Sequence, residues 1–317
     1  MSITVVGSIA YDAVKTPFGE RERMLGGAAT HFALAASFFD TVRPVGPVGG
    51  DFADADLAVL ATRGTVTDDV EVVPDGKTFF WAGEYGWDLN SRDTLDTQLN
   101  VFESFAPKLS DAARACDVLF LANIQPELQA QVLDAVEAGG RVRFTALDSM
   151  NLWIDIARDA LVDVIRRVDC LILNDAELRQ LTGRPNLVSA AREVLTWGPT
   201  SVVAKQGEYG AALVTESGFF SLPAYPLETV IDPTGAGDTF AGGFVGHVAQ
   251  HVADGVTDDV LRRAMAYGTA LASFNVEEFG TERVARLTAD EIHARVDALH
   301  DVGRFDLQTP VLLGDHR

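Results

Sequence analysis

Asp232-Pro233-Thr234-Gly235-Ala236-Gly237-Asp238-Thr239-Phe240-Ala241-Gly242-Gly243-Phe244 is the most informative stretch of this 317-residue chain. Small residues at 235 to 237 let the backbone come close to a ligand. Phe240, Phe244 and Val248 then follow at i, i+4 and i+8, the spacing of a helix packed by one face. A glycine loop feeding a helix N-terminus gathers free N–H groups at the positive end of the helix dipole, a setting that suits negative charge developing on a phosphoryl group. Asp238 stands in the first turn beside that hole, placed to accept a proton from a substrate hydroxyl. The same residues also read as an ordinary glycine turn whose first-turn acid complements the dipole.

Upstream of this stretch, short apolar runs alternate with helix-like segments. Ile3–Ile9, Val118–Ala122, Val142–Leu147, Cys170–Leu173 and Ser201–Ala204 read as strands, and Glu127–Ala138 and Ser189–Thr196 as helices between them. This is the βαβ rhythm of an α/β fold whose mainly parallel sheet is covered on both faces, three layers in all. Two segments break the rhythm. Asp12–Met24 interrupts the first strand–helix connection, and 70–100 is rich in aromatics and turn residues, with Lys77–Tyr85 reading as a strand. Together they are expected to form a small β lid over one edge of a single domain spanning 1–317. Asp258–Ala272 and Ala289–Leu299 read as amphipathic helices.

Composition narrows the function. The chain carries 46 acidic and 25 basic residues for a net charge of −21, which opposes nucleic acid or an anionic membrane as partner. No apolar run approaches the roughly 18 residues of a membrane span. Met1–Gly7 enters a β-like run with no basic segment before it, so a cytoplasmic location is expected. Cys116 and Cys170 lie far apart in apolar runs and read as small buried hydrophobes. The P-loop pattern is absent, since Gly76-Lys77-Thr78 has Glu71 where its first glycine would stand, and no G-x-G-x-x-G follows a strand.

The stretch 232–244 resembles the C-terminal signature of the ribokinase, or PfkB, family of carbohydrate and nucleoside kinases. Gly26-Gly27-Ala28-Ala29-Thr30-His31-Phe32-Ala33 resembles its N-terminal signature. The resemblance implies a ribokinase-like sandwich and ATP-dependent phosphorylation of a sugar-type hydroxyl, with Asp238 as base and the backbone of Gly235, Ala236 and Gly237 as anion hole. A nucleoside is the alternative acceptor, and a catalytically silent sugar-binding protein the alternative role.

Other elements fall into place around that implication. Asn174-Asp175-Ala176-Glu177 follows a strand and is close to a capping box. It also resembles the family's N-x-x-E element, in which Asn174 and Glu177 would organise Mg²⁺ through water against the nucleotide phosphates. Lys205-Gln206-Gly207-Glu208-Tyr209-Gly210 resembles the nucleotide-side loop, with Lys205 offsetting phosphate charge. Thr269 would line the adenine slot, and Asp232 with the 275–280 turn resembles the loops that hold a monovalent cation, K⁺, in some members. On the acceptor side Asp12 follows the first strand, where a carboxylate can take two hydrogen bonds from a vicinal diol, and Gly26 and Gly27 would approach the same hydroxyls. Ala10 stands where ribokinases proper carry Asn, and His31 where most members of the family carry Asn in the N-terminal signature; His31 is read either as a contact to a different hydroxyl or as a satisfied helix histidine. Asn123 is a further candidate polar contact, and Asp148 is read as ordering a loop. The lid aromatics Phe79, Phe80, Trp81, Tyr85 and Trp87 stack on a ligand or bury against the main domain or a second copy, and a homodimer is expected.

Overall fold

The computed structural model describes residues 1–304. Its thirteen strands are β1 (Ser2–Val6), β2 (Ala10–Thr16), β3 (Gly19–Gly26), β4 (Thr41–Gly49), β5 (Val70–Val73), β6 (Phe79–Tyr85), β7 (Arg92–Gln98), β8 (Val118–Leu121), β9 (Phe144–Asp148), β10 (Cys170–Asn174), β11 (Ser201–Lys205), β12 (Ala211–Thr215) and β13 (Gly218–Leu222). Nine of them form one sheet in the order β13-β12-β11-β10-β9-β8-β1-β4-β5. Every pairing from β5 to β11 is parallel, and β12 and β13 add an antiparallel edge.

The central strands are continuous apolar runs because both faces are covered. Alternation sorts their side chains. Val5, Phe120, Ala146, Ile172 and Val203 face one core, shared with the helices Ala28–Ala36, Ala236–His251 and Asp258–Asn275. Val6, Leu121, Leu147, Leu171, Leu173 and Val202 face the other, under Pro126–Glu137, Arg158–Ile165 and Leu187–Leu195. Phe120 lies at the middle of the first core, stacked on Phe32 with centroids 4.3 Å apart. Truncating a buried phenylalanine of this kind costs about 3–5 kcal/mol. Cys116 and Cys170 are buried and free, and burial pushes the Cys170 thiol up to about 12.

A second sheet has the order β3-β2-β6-β7. The sequence places 12–24 and 70–100 together in this layer, and the structure differs at one point. Val70–Val73 pairs in parallel with β4 and extends the large sheet. Its neighbours at 78–79 are where the chain leaves for the small one: Thr78 is tied to Asp51 through its N–H (2.7 Å) and hydroxyl (2.8 Å) before β6 begins. Likewise β1 stops at Val6, short of Ile9, because Gly7 and Ser8 turn the chain into β2; the Ser8 carbonyl and hydroxyl accept the N–H groups of Ala29 and Ala28. The carboxyl ends of β1, β8, β9, β10 and β11 all open on one edge of the large sheet, which puts Ser8, Asn123, Asp148, Asn174 and Lys205 along it.

Candidate active site

Gly235 caps the helix Ala236–His251 in the left-handed conformation at φ 75°. A side chain there would be strained and its Cβ would lie 2.3 Å from the His31 ring, so the loop needs glycine on both counts. A Cβ at Gly237 would lie 2.9 Å from Lys205 Nζ. The ammonium of Lys205 therefore lies against the glycine loop, and it pairs with Asp148 Oδ2 at 3.2 Å while both side chains are largely buried.

Asp238, Asp148 and Glu177 surround that ammonium. Asp238 is pushed up to about 7, chiefly by burial and next by the charge of Asp148, with Lys205 pulling the other way. Glu177 is likewise raised to about 7 by burial and then by Asp148. Three carboxylates against one lysine leave excess negative charge at the mouth of an anion-binding loop, an arrangement that suits a hard divalent cation. Among the described residues no three His, Cys, Asp or Glu side chains come together as a closed metal-ligand set. Asn174 and Glu177 do form the capping box: Asn174 Oδ1 accepts from Glu177 N–H at 2.7 Å and Glu177 Oε2 from Asn174 N–H at 2.9 Å. The cap fixes Glu177 at the end of β10, in register with Lys205 on β11 through Asn174.

Asp12 is 5 % exposed on β2 and is raised to about 7 by burial and then by Asp232, against a hydrogen bond from the Gly27 N–H. Gly26 leaves it room, since a Cβ there would fall 2.0 Å from Asp12 Oδ2. Asp12 is in register with Trp81 on β6. The Arg92 guanidinium lies over the Trp81 ring at 5.1 Å. Arg92 also pairs across the β6–β7 hairpin with Tyr85, whose phenol oxygen accepts from Thr234 Oγ1 at 3.2 Å. The small sheet is thereby tied to the glycine loop. Arg92 makes no ion pair within 4 Å among the described residues, and its charge reaches both Asp12 and Glu177.

The remaining sequence-derived positions divide. His31 is 2 % exposed beneath the loop, with Nδ1 3.1 Å from Asn275 Oδ1 and burial lowering its pKa to about 4. Asn123 is spent nearby, accepting from Trp153 Nε1 at 3.0 Å and facing Met150 Sδ at 3.2 Å. Thr269 is enclosed within the helix Asp258–Asn275, 6 % exposed with its hydroxyl unpartnered. Gly207, Tyr209 and Gly210 form the turn after β11, with Tyr209 75 % exposed. Asn90 Nδ2, on the tip of the β6–β7 hairpin, reaches Glu208 Oε1 there at 3.4 Å. Sequence reasoning left out Arg92, which no motif marks. It gave Asp148 a loop-ordering role, and Asp148 Oδ1 does accept from Ser149 N–H at 2.8 Å while Oδ2 holds Lys205. Its position at the carboxyl end of a parallel strand was the available signal.

Comparison with known proteins agrees with this geometry. Residues 2–286 match the model of the pfkB family of carbohydrate kinases. A cytidine kinase of Thermococcus kodakarensis is 30% identical over 249 residues, 77% of this chain and 87% of its own. In fold, the nucleoside kinase of Burkholderia thailandensis in complex with inosine superposes with a TM-score of 0.74 at 21% identity, covering 94% of this chain and 99% of its own. The ribokinase of Arabidopsis thaliana in complex with ribose and ATP superposes with a TM-score of 0.71 at 22% identity, covering 93% and 98%. A glycine loop with a first-turn acid at the carboxyl edge of a parallel sheet, together with a family match along nearly the whole chain, leads to one conclusion: the chain belongs to the pfkB family of carbohydrate kinases and is a phosphotransferase with an alcohol group as acceptor.

Proposed function

We propose that the chain transfers the γ-phosphoryl group of ATP to a hydroxyl of a small sugar, with Asp238 as the base. The observation that carries this is the placement of the Asp238 carboxyl in the first helical turn at the mouth of the Gly235–Gly237 loop, with the Lys205 ammonium against that loop; burial raises its pKa to about 7. A carboxyl with that affinity for a proton is about half ionised in neutral solution, and its ionised form takes the proton readily as the hydroxyl attacks. The oxygen of the acceptor bonds to the γ-phosphorus, the bond to the ADP oxygen breaks, and the hydroxyl proton passes to Asp238. The N–H groups of Gly235 and Gly237 face the charge that develops, that of Ala236 being held by the Pro233 carbonyl at 3.2 Å and not free as the resemblance implied, and Lys205 and Arg92 flank it. Asp12, with the Gly26 and Gly27 backbone, orients the sugar hydroxyls. Asn174, Glu177 and Asp148 supply hard oxygen donors for Mg²⁺, which when bound neutralises phosphate charge. Lys205 and the 207–210 turn face the nucleotide side.

A nucleoside acceptor is the second reading. Trp81, with Arg92 stacked on it, shares its strand register with Asp12, so a planar group attached to the sugar meets an aromatic wall. We extend the proposal to a cytoplasmic homodimer built on the small sheet. No helix among the described residues is long and apolar enough to cross a membrane.

The test is a coupled ATP-to-ADP assay with Mg²⁺ across free sugars, phosphosugars and ribonucleosides, with Asp238→Asn beside the wild type. One acceptor class is expected to turn over, and the variant to lose about 10²–10⁴-fold in kcat. Full turnover by Asp238→Asn would sink the mechanism.

A further inference from the structure

The monovalent cation implied by the resemblance does not fit the oxygens between Asp232 and the 275–280 turn. Asp232 is fully buried; its Oδ1 accepts from Thr234 N–H at 2.9 Å and its Oδ2 from Gly280 N–H at 2.9 Å. The Thr234 carbonyl accepts from Asn275 Nδ2 at 2.7 Å. The Pro233 carbonyl accepts from Ala236 N–H at 3.2 Å, and the Val276 carbonyl from Ile231 N–H at 2.8 Å. A potassium-sized ion needs several such oxygens turned toward one point. Here both Asp232 oxygens and the Pro233, Thr234 and Val276 carbonyls are turned toward N–H donors, and the bonds of Asp232 to Gly280, of Thr234 to Asn275 and of Val276 to Ile231 hold the two loops closed on each other. The acids of the turn are also neutralised, Glu277 by Arg283 and Arg295, and Glu278 by Arg286.

We propose that Asn275 takes the place of that cation, so that the phosphoryl transfer proposed above proceeds without a monovalent ion. Asn275 is fully buried at the end of the helix Asp258–Asn275. Its Nδ2 holds the Thr234 carbonyl, which leaves Oδ1 to accept from Thr239 Oγ1 at 3.0 Å and from the Nδ1–H of His31. One amide thus joins the glycine loop, the first turn of the helix that carries Asp238, and the helix Ala28–Ala36. His31 is the second member. It packs where a Cβ on Gly235 would go, and as a neutral imidazole it adds no charge to an anion site. Both act on the transferred group through the loop and are positioning residues. A buried amide serves here because its donor and acceptor ends are each matched, whereas a cation offers only attraction to oxygens.

This inference rests on the kinase reading, and its test separates the two. Melting temperature and Mg²⁺–ADP affinity are measured in potassium chloride and in choline chloride at equal ionic strength, and turnover is added once an acceptor is found. For the wild type the melting temperatures are expected to agree within about 1 °C, and affinity and rate within about twofold. Asn275→Asp keeps the acceptor end but sets a carboxylate against the Thr234 carbonyl. It is expected to melt lower in choline and to recover in potassium. A potassium-specific rise of more than about 3 °C or tenfold in affinity in the wild type would overturn the proposal. So would an Asn275→Asp variant indifferent to the salt. Absence of turnover on every acceptor in both salts would count against phosphoryl transfer alone, since melting and nucleotide affinity decide the cation question without it.

Discussion

Asp12 shows how the site trades stability for chemistry one residue at a time. Its carboxyl is raised from 3.8 to about 7, first by burial and then by the charges of Asp232 and Asp238, against the Gly27 N–H and Arg92. A group whose folded pKa lies above its unfolded one holds its proton in the native state, so its stabilising contribution is complete below about pH 4 and is lost as the pH rises through about 7. Asp238 and Glu177 add to the same slope. Asp12→Asn removes one charge from this cluster. The variant is expected to be more stable than the wild type at about pH 8, by on the order of 2 kcal/mol, and equal to it near pH 4, while losing acceptor binding. Denaturant melts across that range check it, and parallel pH profiles for the two proteins would refute it. Asp12, Asp238, Asn174 and Glu177 are legible in the sequence because each stands in a motif or just past an apolar strand. Arg92 is not, and Asn275 is read only as the start of the 275–280 turn: one is a single arginine in an exposed strand, the other a polar residue ending an amphipathic helix, and only the fold shows what each meets.

The β6–β7 hairpin is the element in which function was least legible. Alternating apolar runs mark the large sheet residue by residue, since strands buried on both faces admit little else. The hairpin is half-buried, and its composition speaks only for strand and turn. That is why Val70–Val73 was grouped with it by sequence although it belongs to β4. In the folded chain the hairpin carries Trp81, Tyr85, Asn90 and Arg92 across the carboxyl edge, with Tyr85 bonded to Thr234 and Asn90 to Glu208. Arg92 is exposed, and its contacts, the Trp81 ring and the Tyr85 phenol, lie within the hairpin and leave the core of the large sheet untouched. Arg92→Ala is accordingly expected to melt with the wild type and yet lose about 10²-fold in kcat, as the removal of one donor to developing charge does. Arg92→Lys is expected to recover part of the loss, a charge without the planar fork. Steady-state kinetics beside thermal melts decide it, and unchanged kcat in Arg92→Ala would remove the hairpin from the chemistry.

At the scale of the whole molecule the two sheets stand in unequal positions. The large sheet is covered by helices on both faces and asks for nothing further. The small one ends in β3 and β7, and β7 is exposed at every residue, with Leu95 62 % exposed, while Trp87 on the hairpin tip is 89 % exposed. Open edges with apolar side chains are where a second copy pairs or packs. A net charge of −21 opposes that association, and the repulsion is long-ranged in dilute salt but confined to about 10 Å at 0.1 M. The balance predicts a dimer that strengthens with ionic strength, since screening weakens repulsion and leaves apolar contact intact. Light scattering after size exclusion is expected to give twice the 34.0 kDa chain mass at moderate salt, with monomer appearing as salt is withdrawn. Leu95→Lys is expected to give monomer under both conditions with an unchanged melting temperature for the protomer, because the side chain touches solvent and not the core. A wild-type protein that stays monomeric at every salt concentration would mean that the small sheet serves the ligand alone.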